Sequence, residues 1–287
     1  MSERPSWIKV HAPTASEAQE MRKVRGILER HSLTTICQGA LCPNAVECWS
    51  ARTATFLLLG KTCTRACRFC GVPTVDPHGA VDADEPRRVA DAVAELGLRY
   101  VVLTSVDRDD LPDGGAALFA ETIQRVASTH DETRVEALIP DFGGETTSLD
   151  RILAVNPDVV AHNVETVRRL TPALRDRRAG YDRSLAVLEY IGRNGGSVRA
   201  KSGLMVGLGE RTSEIEETLR DLHAAGTRIV TIGQYLRPTK WAVPVDRFVP
   251  PGEFDAIADR ARSIGFEFVV SGPLVRSSYH AADAMGA

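Results

Sequence analysis

The chain has 287 residues, of which 43% are hydrophobic and 25% charged, and a formal net charge of −3. That length buries a full core, as one large α/β domain or two smaller ones. The balanced charge and the lack of a basic block argue against a nucleic-acid partner, no stretch reaches the ~18 apolar residues of a membrane span, and the first ten residues lack the apolar run of a signal peptide, so a cytoplasmic protein is expected.

Residues 1–14 read as extended, with Pro5, Trp7 and Pro13 as docking contacts. Met21, Val24, Ile27 and Leu28 recur at helical spacing, so a helix is expected over Ser16–Arg30 with Ser16 as its cap. Cys37, Cys42 and Cys48 follow, separated by four and five residues, in a loop expected from Gly39, Pro43 and Asn44. Thr55–Leu59 is a short apolar run ended by Gly60 and reads as a buried strand. Just beyond it come Cys63, Cys67 and Cys70, separated by three and two residues. All six cysteines of the chain lie in these two triplets. In a reducing compartment such density points to metal or catalysis before disulfides.

Beyond Cys70 the pattern alternates. Helix Pro86–Leu96 precedes strand Tyr100–Thr104, helix Ala116–Ser128 precedes strand Arg134–Ile139, and helix Ser148–Val155 precedes strand Asp158–His162. Helix Asp182–Arg193 leads to strand Ser197–Val206, helix Ser213–Ala225 to strand Arg228–Gly233, and helix Pro251–Ile264 to strand Phe266–Ser271. Apolar, β-branched strands alternating with helices imply a parallel sheet with helices outside. Six or seven such units suit a partial or complete barrel. Residues 1–54 and 236–287 read as extensions around a central barrel over 55–235.

Three thiolates at Cys63, Cys67 and Cys70 fall one short of the usual four ligands of a zinc site or a four-iron cluster. Either a distant side chain such as His78 completes a zinc knuckle, or one iron stays open for a substrate or cofactor. The position just after the first strand favours the second, because barrels carry their chemistry at the C-terminal strand ends. The first triplet, by spacing alone, serves equally as a structural metal site.

Cys63-Thr-Arg-Ala-Cys67-Arg-Phe-Cys70 resembles the CxxxCxxC motif of radical S-adenosylmethionine enzymes, with an aromatic residue before the third cysteine. Four further segments resemble the lipoyl synthase family: Pro5–Val10, Thr35–Trp49 with the first triplet, Thr104–Gly115, and Arg276-Ser-Ser-Tyr279. The resemblance implies an α/β fold, a (βα)6-type partial TIM-like barrel with N- and C-terminal extensions. It implies two [4Fe-4S] clusters and S-adenosyl-L-methionine as cofactors. Cys63, Cys67 and Cys70 would hold the cluster that cleaves S-adenosylmethionine to a 5′-deoxyadenosyl radical. Cys37, Cys42 and Cys48 would hold an auxiliary cluster, with Ser278, or failing it Ser277, as fourth ligand.

Candidate cofactor contacts lie at strand ends. Thr104, Ser105 and Asp107 resemble the part of the superfamily that holds the S-adenosylmethionine amino group. Asn163 and Glu165 end another strand, where a helix-capping role is the plainer alternative. Arg199 and Lys201 share one strand face, which either meets water or presents Lys201 to a carboxylate inside the barrel. Gly203–Glu210 lacks the Gly-Lys-Ser/Thr ending of a P-loop and resembles the GxIxGxxE element near the adenine. Tyr235 and Arg237 either touch cofactor or substrate, or support their loop.

The reaction implied is that of a sulfurtransferase. Two sulfur atoms enter C6 and C8 of a protein-bound octanoyl-lysine, with two S-adenosylmethionines consumed and the auxiliary cluster as sulfur source. Unactivated C–H bonds require such cofactor chemistry. The implied partners are an octanoylated lipoyl-domain or glycine-cleavage H protein, a small electron-donor protein and a cluster-repair protein. The alternatives are another radical S-adenosylmethionine sulfur-inserting enzyme, a non-catalytic iron–sulfur carrier and a zinc-stapled binding protein.

Overall fold

The computed structural model describes residues 4–9, 12–39, 42, 44–50, 52–129, 132–279 and 281–285. Pro43, expected to break the first cysteine loop, lies outside them. Among the described residues, seven strands stand in chain order: β1 (Thr53–Leu58), β2 (Tyr100–Ser105), β3 (Arg134–Leu138), β4 (Val159–Ala161), β5 (Arg199–Val206), β6 (Ile229–Gln234) and β7 (Phe268–Gly272). The described ladders are parallel, and parallel neighbours require crossovers. Ten helices among the described residues include the crossovers: α1 (Ala15–Arg30), α2 (Ile36–Gly39), α3 (Ala45–Ser50), α4 (Glu85–Leu96), α5 (Ala116–Ala127), α6 (Thr146–Ala154), α7 (Thr171–Leu174), α8 (Tyr181–Asn194), α9 (Thr212–Ala224) and α10 (Pro251–Ile264). This is the α/β strand-and-helix order of a partial TIM-like barrel. No helix among the described residues is long and apolar enough to cross a membrane.

The chain divides into two compact units, one of Val10–Thr64, Val72–Val160 and His280–Ala287, the other of Met1–Lys9, Arg65–Gly71 and Ala161–Tyr279. In the first, every residue of β1 is buried. Its register with β2 runs from Thr53 opposite Tyr100 to Leu58 opposite Ser105. Strands buried on both faces are written as near-continuous apolar runs, which is why Thr-Phe-Leu-Leu-Leu was readable. The cap of α1 is Thr14, not Ser16. Thr14 and Glu17 form a reciprocal capping box, with Thr14 N–H on Glu17 Oε2 at 2.7 Å and Glu17 N–H on Thr14 Oγ1 at 3.4 Å. The carboxylate at the third helical position also meets the helix dipole favourably, an advantage that Gln19 would not give a Ser16 cap.

The first triplet corrects the expectation of a loop. Cys37 lies on α2 and Cys48 on α3. The one-turn helix α2 is moored to β1 by a bridge between Thr35 and Phe56 and by Leu57 N–H on Thr34 O at 2.9 Å. The Cys48 N–H bonds Asn44 O at 2.9 Å, and Ala45, Val46 and Trp49 are buried. Both helices are too short for periodicity to announce them.

In the second unit β5, β6 and β7 pair in register, Lys201 opposite Ile229 and Ile229 opposite Phe268. Val164, Leu188, Leu204, Leu219, Val230, Ile232 and Phe254 form its core. Strand starts expected at Arg228 and Phe266 fall one and two residues later, at Ile229 and Phe268. The Arg228 carbonyl instead takes Glu267 N–H at 2.9 Å outside the strand.

Candidate active site

The Cys63 loop is built at the end of β1. Leu59 adopts a left-handed backbone, φ 65°, which costs energy for a branched residue. Half-buried Glu85 and buried Arg108 hold the backbone of this residue. Its N–H donates to Glu85 Oε2 at 2.9 Å, and its carbonyl accepts Arg108 Nη1 at 3.1 Å. Arg108 is 2% exposed and also donates to Ala80 O at 2.7 Å and to both oxygens of Asp110 at 2.8 Å. This hydrogen-bonded pairing pulls the Asp110 carboxyl down to about 2, against the opposing effect of burial. Burial pushes the Glu85 carboxyl up.

Cys63 then continues as a short bridge to Thr74, with its N–H on Pro73 O at 2.9 Å and its carbonyl on Val75 N at 3.0 Å. Asp107 works on this segment with both ends. Its carbonyl accepts Thr64 N–H at 3.0 Å, and its carboxylate stands 3.9 Å from the Cys63 thiol. Thr104 donates its hydroxyl to Leu138 O at 3.0 Å. Ser105 Oγ, at the end of β2, is buried with no protein partner.

Cys67 and Cys70 are positioned within the other unit. Asp176 N–H donates to Cys67 Sγ at 3.3 Å, and Asp176 Oδ2 accepts Ala66 N–H at 2.9 Å. Arg178 beside it holds the Asp176 carboxyl well below the usual carboxylate range. Phe69 packs against Leu174, Tyr235 and Val243, so the aromatic residue of the motif anchors the loop. Tyr235 donates its hydroxyl to Val243 O at 2.8 Å, and Arg237 donates to Ala242 O at 2.8 Å and to Lys240 O. These contacts match the loop-supporting alternative for Tyr235 and Arg237. Burial pushes the Tyr235 hydroxyl up to about 12.

At the end of β4, Asn163 Oδ1 is buried without a partner. A Cβ on Gly203 would stand 2.7 Å from that oxygen, so the missing side chain is what gives Asn163 its place. Glu165 has φ 68°. Burial raises its carboxyl, while Arg175 and a hydrogen bond from Asn163 act the other way. Lys201 is 1% exposed, so its side chain does not meet water. The glycine-rich turn is closed by Glu210, whose carboxylate accepts Gly207 N–H at 2.6 Å and Leu208 N–H at 2.8 Å.

All six cysteines are thiols, none of them in a disulfide. Burial, then Cys37 and Cys42 nearby, push the Cys48 thiol up to about 12. Among the described residues no three His, Cys, Asp or Glu side chains are gathered tightly enough for one metal ion. Ser277 and Ser278 lie in the turn where Tyr279 N–H bonds Arg276 O at 3.0 Å. Two sets of three soft donors suit iron–sulfur clusters, which take thiolates. The orphaned oxygens of Ser105, in one unit, and of Asn163, in the other, each leave room for a further polar partner, since buried polar groups are otherwise paired. The residues therefore fit the cofactors that the motifs imply. Arg108, Glu85 and Asp176 were not singled out in the sequence.

A family profile described as the radical SAM superfamily matches residues 57–222. A lipoyl synthase of Deinococcus radiodurans is 54% identical over 278 residues, 97% of this chain and 83% of its own length. One of Pyrobaculum arsenaticum is 54% identical over 285 residues, 99% of this chain and 95% of its own. Among solved structures, the FeFe-hydrogenase maturase HydG from Carboxydothermus hydrogenoformans superposes with a TM-score of 0.57 at 13% identity, covering 94% of this chain and 78% of that one. Methylornithine synthase (PylB) gives 0.53 at 13%, covering 87% and 81%. At such identity these two carry the fold alone.

Proposed function

Because the chain belongs to the lipoyl synthase family of the radical SAM superfamily, we propose specific residues for the parts of that family's reaction. The reaction is the insertion of two sulfur atoms into the octanoyl group of an octanoylated lipoyl-domain protein, with [4Fe-4S] clusters and S-adenosylmethionine as cofactors. Cys63, Cys67 and Cys70 hold the cluster that meets S-adenosylmethionine. Cys37, Cys42 and Cys48, with Ser278 as fourth ligand, hold the auxiliary cluster. When bound, the first supplies an electron that cleaves S-adenosylmethionine to a carbon-centred radical, and the second supplies sulfur.

The chain's own residues do the placing. Asp107, Thr64 and the clasp of Glu85 and Arg108 on Leu59 fix Cys63, and Asp176 fixes Cys67. Ser105 and Asn163 offer their unpaired oxygens to the polar groups of S-adenosylmethionine. Thr104, Glu165, Lys201, Tyr235 and Arg237 frame its site, Tyr235 and Arg237 through the loop they hold. Placement matters because an error of about 1 Å costs on the order of a hundredfold in rate. We divide the roles among an N-terminal extension over 1–54, a barrel over 55–235 and a C-terminal extension over 236–287, in a cytoplasmic protein. The glycine-cleavage H protein is a further acceptor, and a small electron donor and a cluster-repair protein complete the cycle.

The observation that carries this reading is a pair of separately braced thiol triplets in a chain that matches the family almost end to end. The test is anaerobic turnover of an octanoyl-lysine peptide with S-adenosylmethionine and dithionite. A lipoyl product with two 5′-deoxyadenosines per peptide is expected. A methylthiolated or untouched peptide overturns the reading.

A further inference from the structure

The segment that carries Cys67 and Cys70 is rimmed by cations. Arg68, between the two cysteines and exposed, bonds through its N–H to Leu174 O at 2.8 Å and through Nη1 to Ala173 O at 3.3 Å, while its carbonyl accepts Val243 N–H at 2.9 Å. These bonds set residues 173–178 and 237–243 directly against the cysteine segment. They bring exposed Arg177, Arg178, Arg237 and Lys240 with them. The one carboxylate of these segments, Asp176, is engaged by Ala66 and Arg178. Five cations thus stand around one acid, in a chain whose formal net charge is −3. At the edge Trp241 is 85% exposed, with the Lys240 ammonium 4.9 Å from its ring centroid. Tryptophan and arginine are the residues that most often anchor protein interfaces.

We propose that this rim, with Trp241 at its edge, is the docking surface for a small acidic electron-transfer protein of the flavin or iron–sulfur class. The inference rests on the assignment of Cys63, Cys67 and Cys70 made above. Two observations select this partner over the acceptor protein. An octanoyl-lysine arm reaches its site from a distance, whereas an electron donor must come close to the cysteine segment, and Cys70 within the rim is itself exposed. The rim is also charged and compact, as suits redox encounters, which are small and electrostatically steered. In each encounter one electron passes from the reduced donor to the cluster, and no bond is made or broken at the interface.

The experiment uses reduced flavodoxin as the acidic probe. Its Kd for the intact protein is measured by calorimetry, and cluster reduction by stopped flow, with dithionite as a small-molecule control. The parent is compared with the Arg177→Glu, Lys240→Glu double variant and with Trp241→Ala. At low ionic strength the double variant is expected to weaken Kd and slow reduction by flavodoxin about tenfold or more, the range that electrostatic steering supplies. The difference should shrink at high salt, and Trp241→Ala should weaken Kd at both. Dithionite should reduce all three proteins alike. Unchanged flavodoxin binding in the double variant overturns the proposal. So does a loss of turnover on an intact acceptor domain with dithionite while flavodoxin binding is kept, which assigns the rim to the acceptor. A parent that dithionite fails to reduce overturns the cluster assignment itself, and the docking surface with it.

Discussion

Asp110 shows what a single pair contributes to the site. Its folded pKa of about 2 lies below its ordinary 3.8, so its stabilising contribution is complete above about pH 4 and is lost as pH falls toward 2. Asp110→Asn is expected to flatten that part of the acid-unfolding curve followed by circular dichroism. It should also loosen Arg108, and through it the Leu59 peptide. An unchanged acid limb would show that the pair is not coupled to folding. The cysteines were legible in the sequence because a motif is a local pattern. The side chains that aim them were not, because Leu59 lies 26 residues from Glu85 and 49 from Arg108, and Ala66 lies 110 from Asp176. An Asp-Arg-Asp-Asp run after a buried strand was the available signal for Arg108, and it reads equally well as a solvated turn.

Among the elements, those with several turns or a full apolar run were readable to within a residue or two. The ones missed are short helices of four to six residues. α7 spans four residues, and α2 and α3 carry Cys37 and Cys48 where Gly39, Pro43 and Asn44 suggested irregular chain. Their stability comes from the strand they lean on and from the residues they bury, which no short window contains. The junction before α5 makes a stricter demand. Gly115 has φ 87°, and a Cβ there would stand 2.3 Å from Leu59 Cδ1. Gly115→Ala is therefore expected to destabilise the protein by about 1–3 kcal/mol, from overpacking and a strained backbone together. It should also disturb Leu59, at the root of the Cys63 loop. Chemical denaturation of parent and variant measures the loss, and an equal midpoint would contradict the crowding.

For the whole molecule, strand and helix alternation was enough for the fold class, because parallel ladders demand the crossovers that the helical patterns supplied. It was not enough to foresee the bonds of Tyr235 and Arg237, which run within their own loop. Two clusters give a stoichiometric prediction: about eight iron and eight sulfide per chain for anaerobically reconstituted protein, from the four-iron cluster type. Replacing Cys63, Cys67 and Cys70 together by alanine is expected to leave about half of each, and so is replacing Cys37, Cys42 and Cys48. A parent holding only four of each would contradict two separate centres. The mooring of α2 to β1 by ordinary backbone bonds has a consequence for the life of the catalyst. On the assignment proposed above for Cys37, Cys42 and Cys48, a nest pinned by peptide groups would keep its shape when its inorganic contents are spent, and the polypeptide would be open to refilling instead of being made anew.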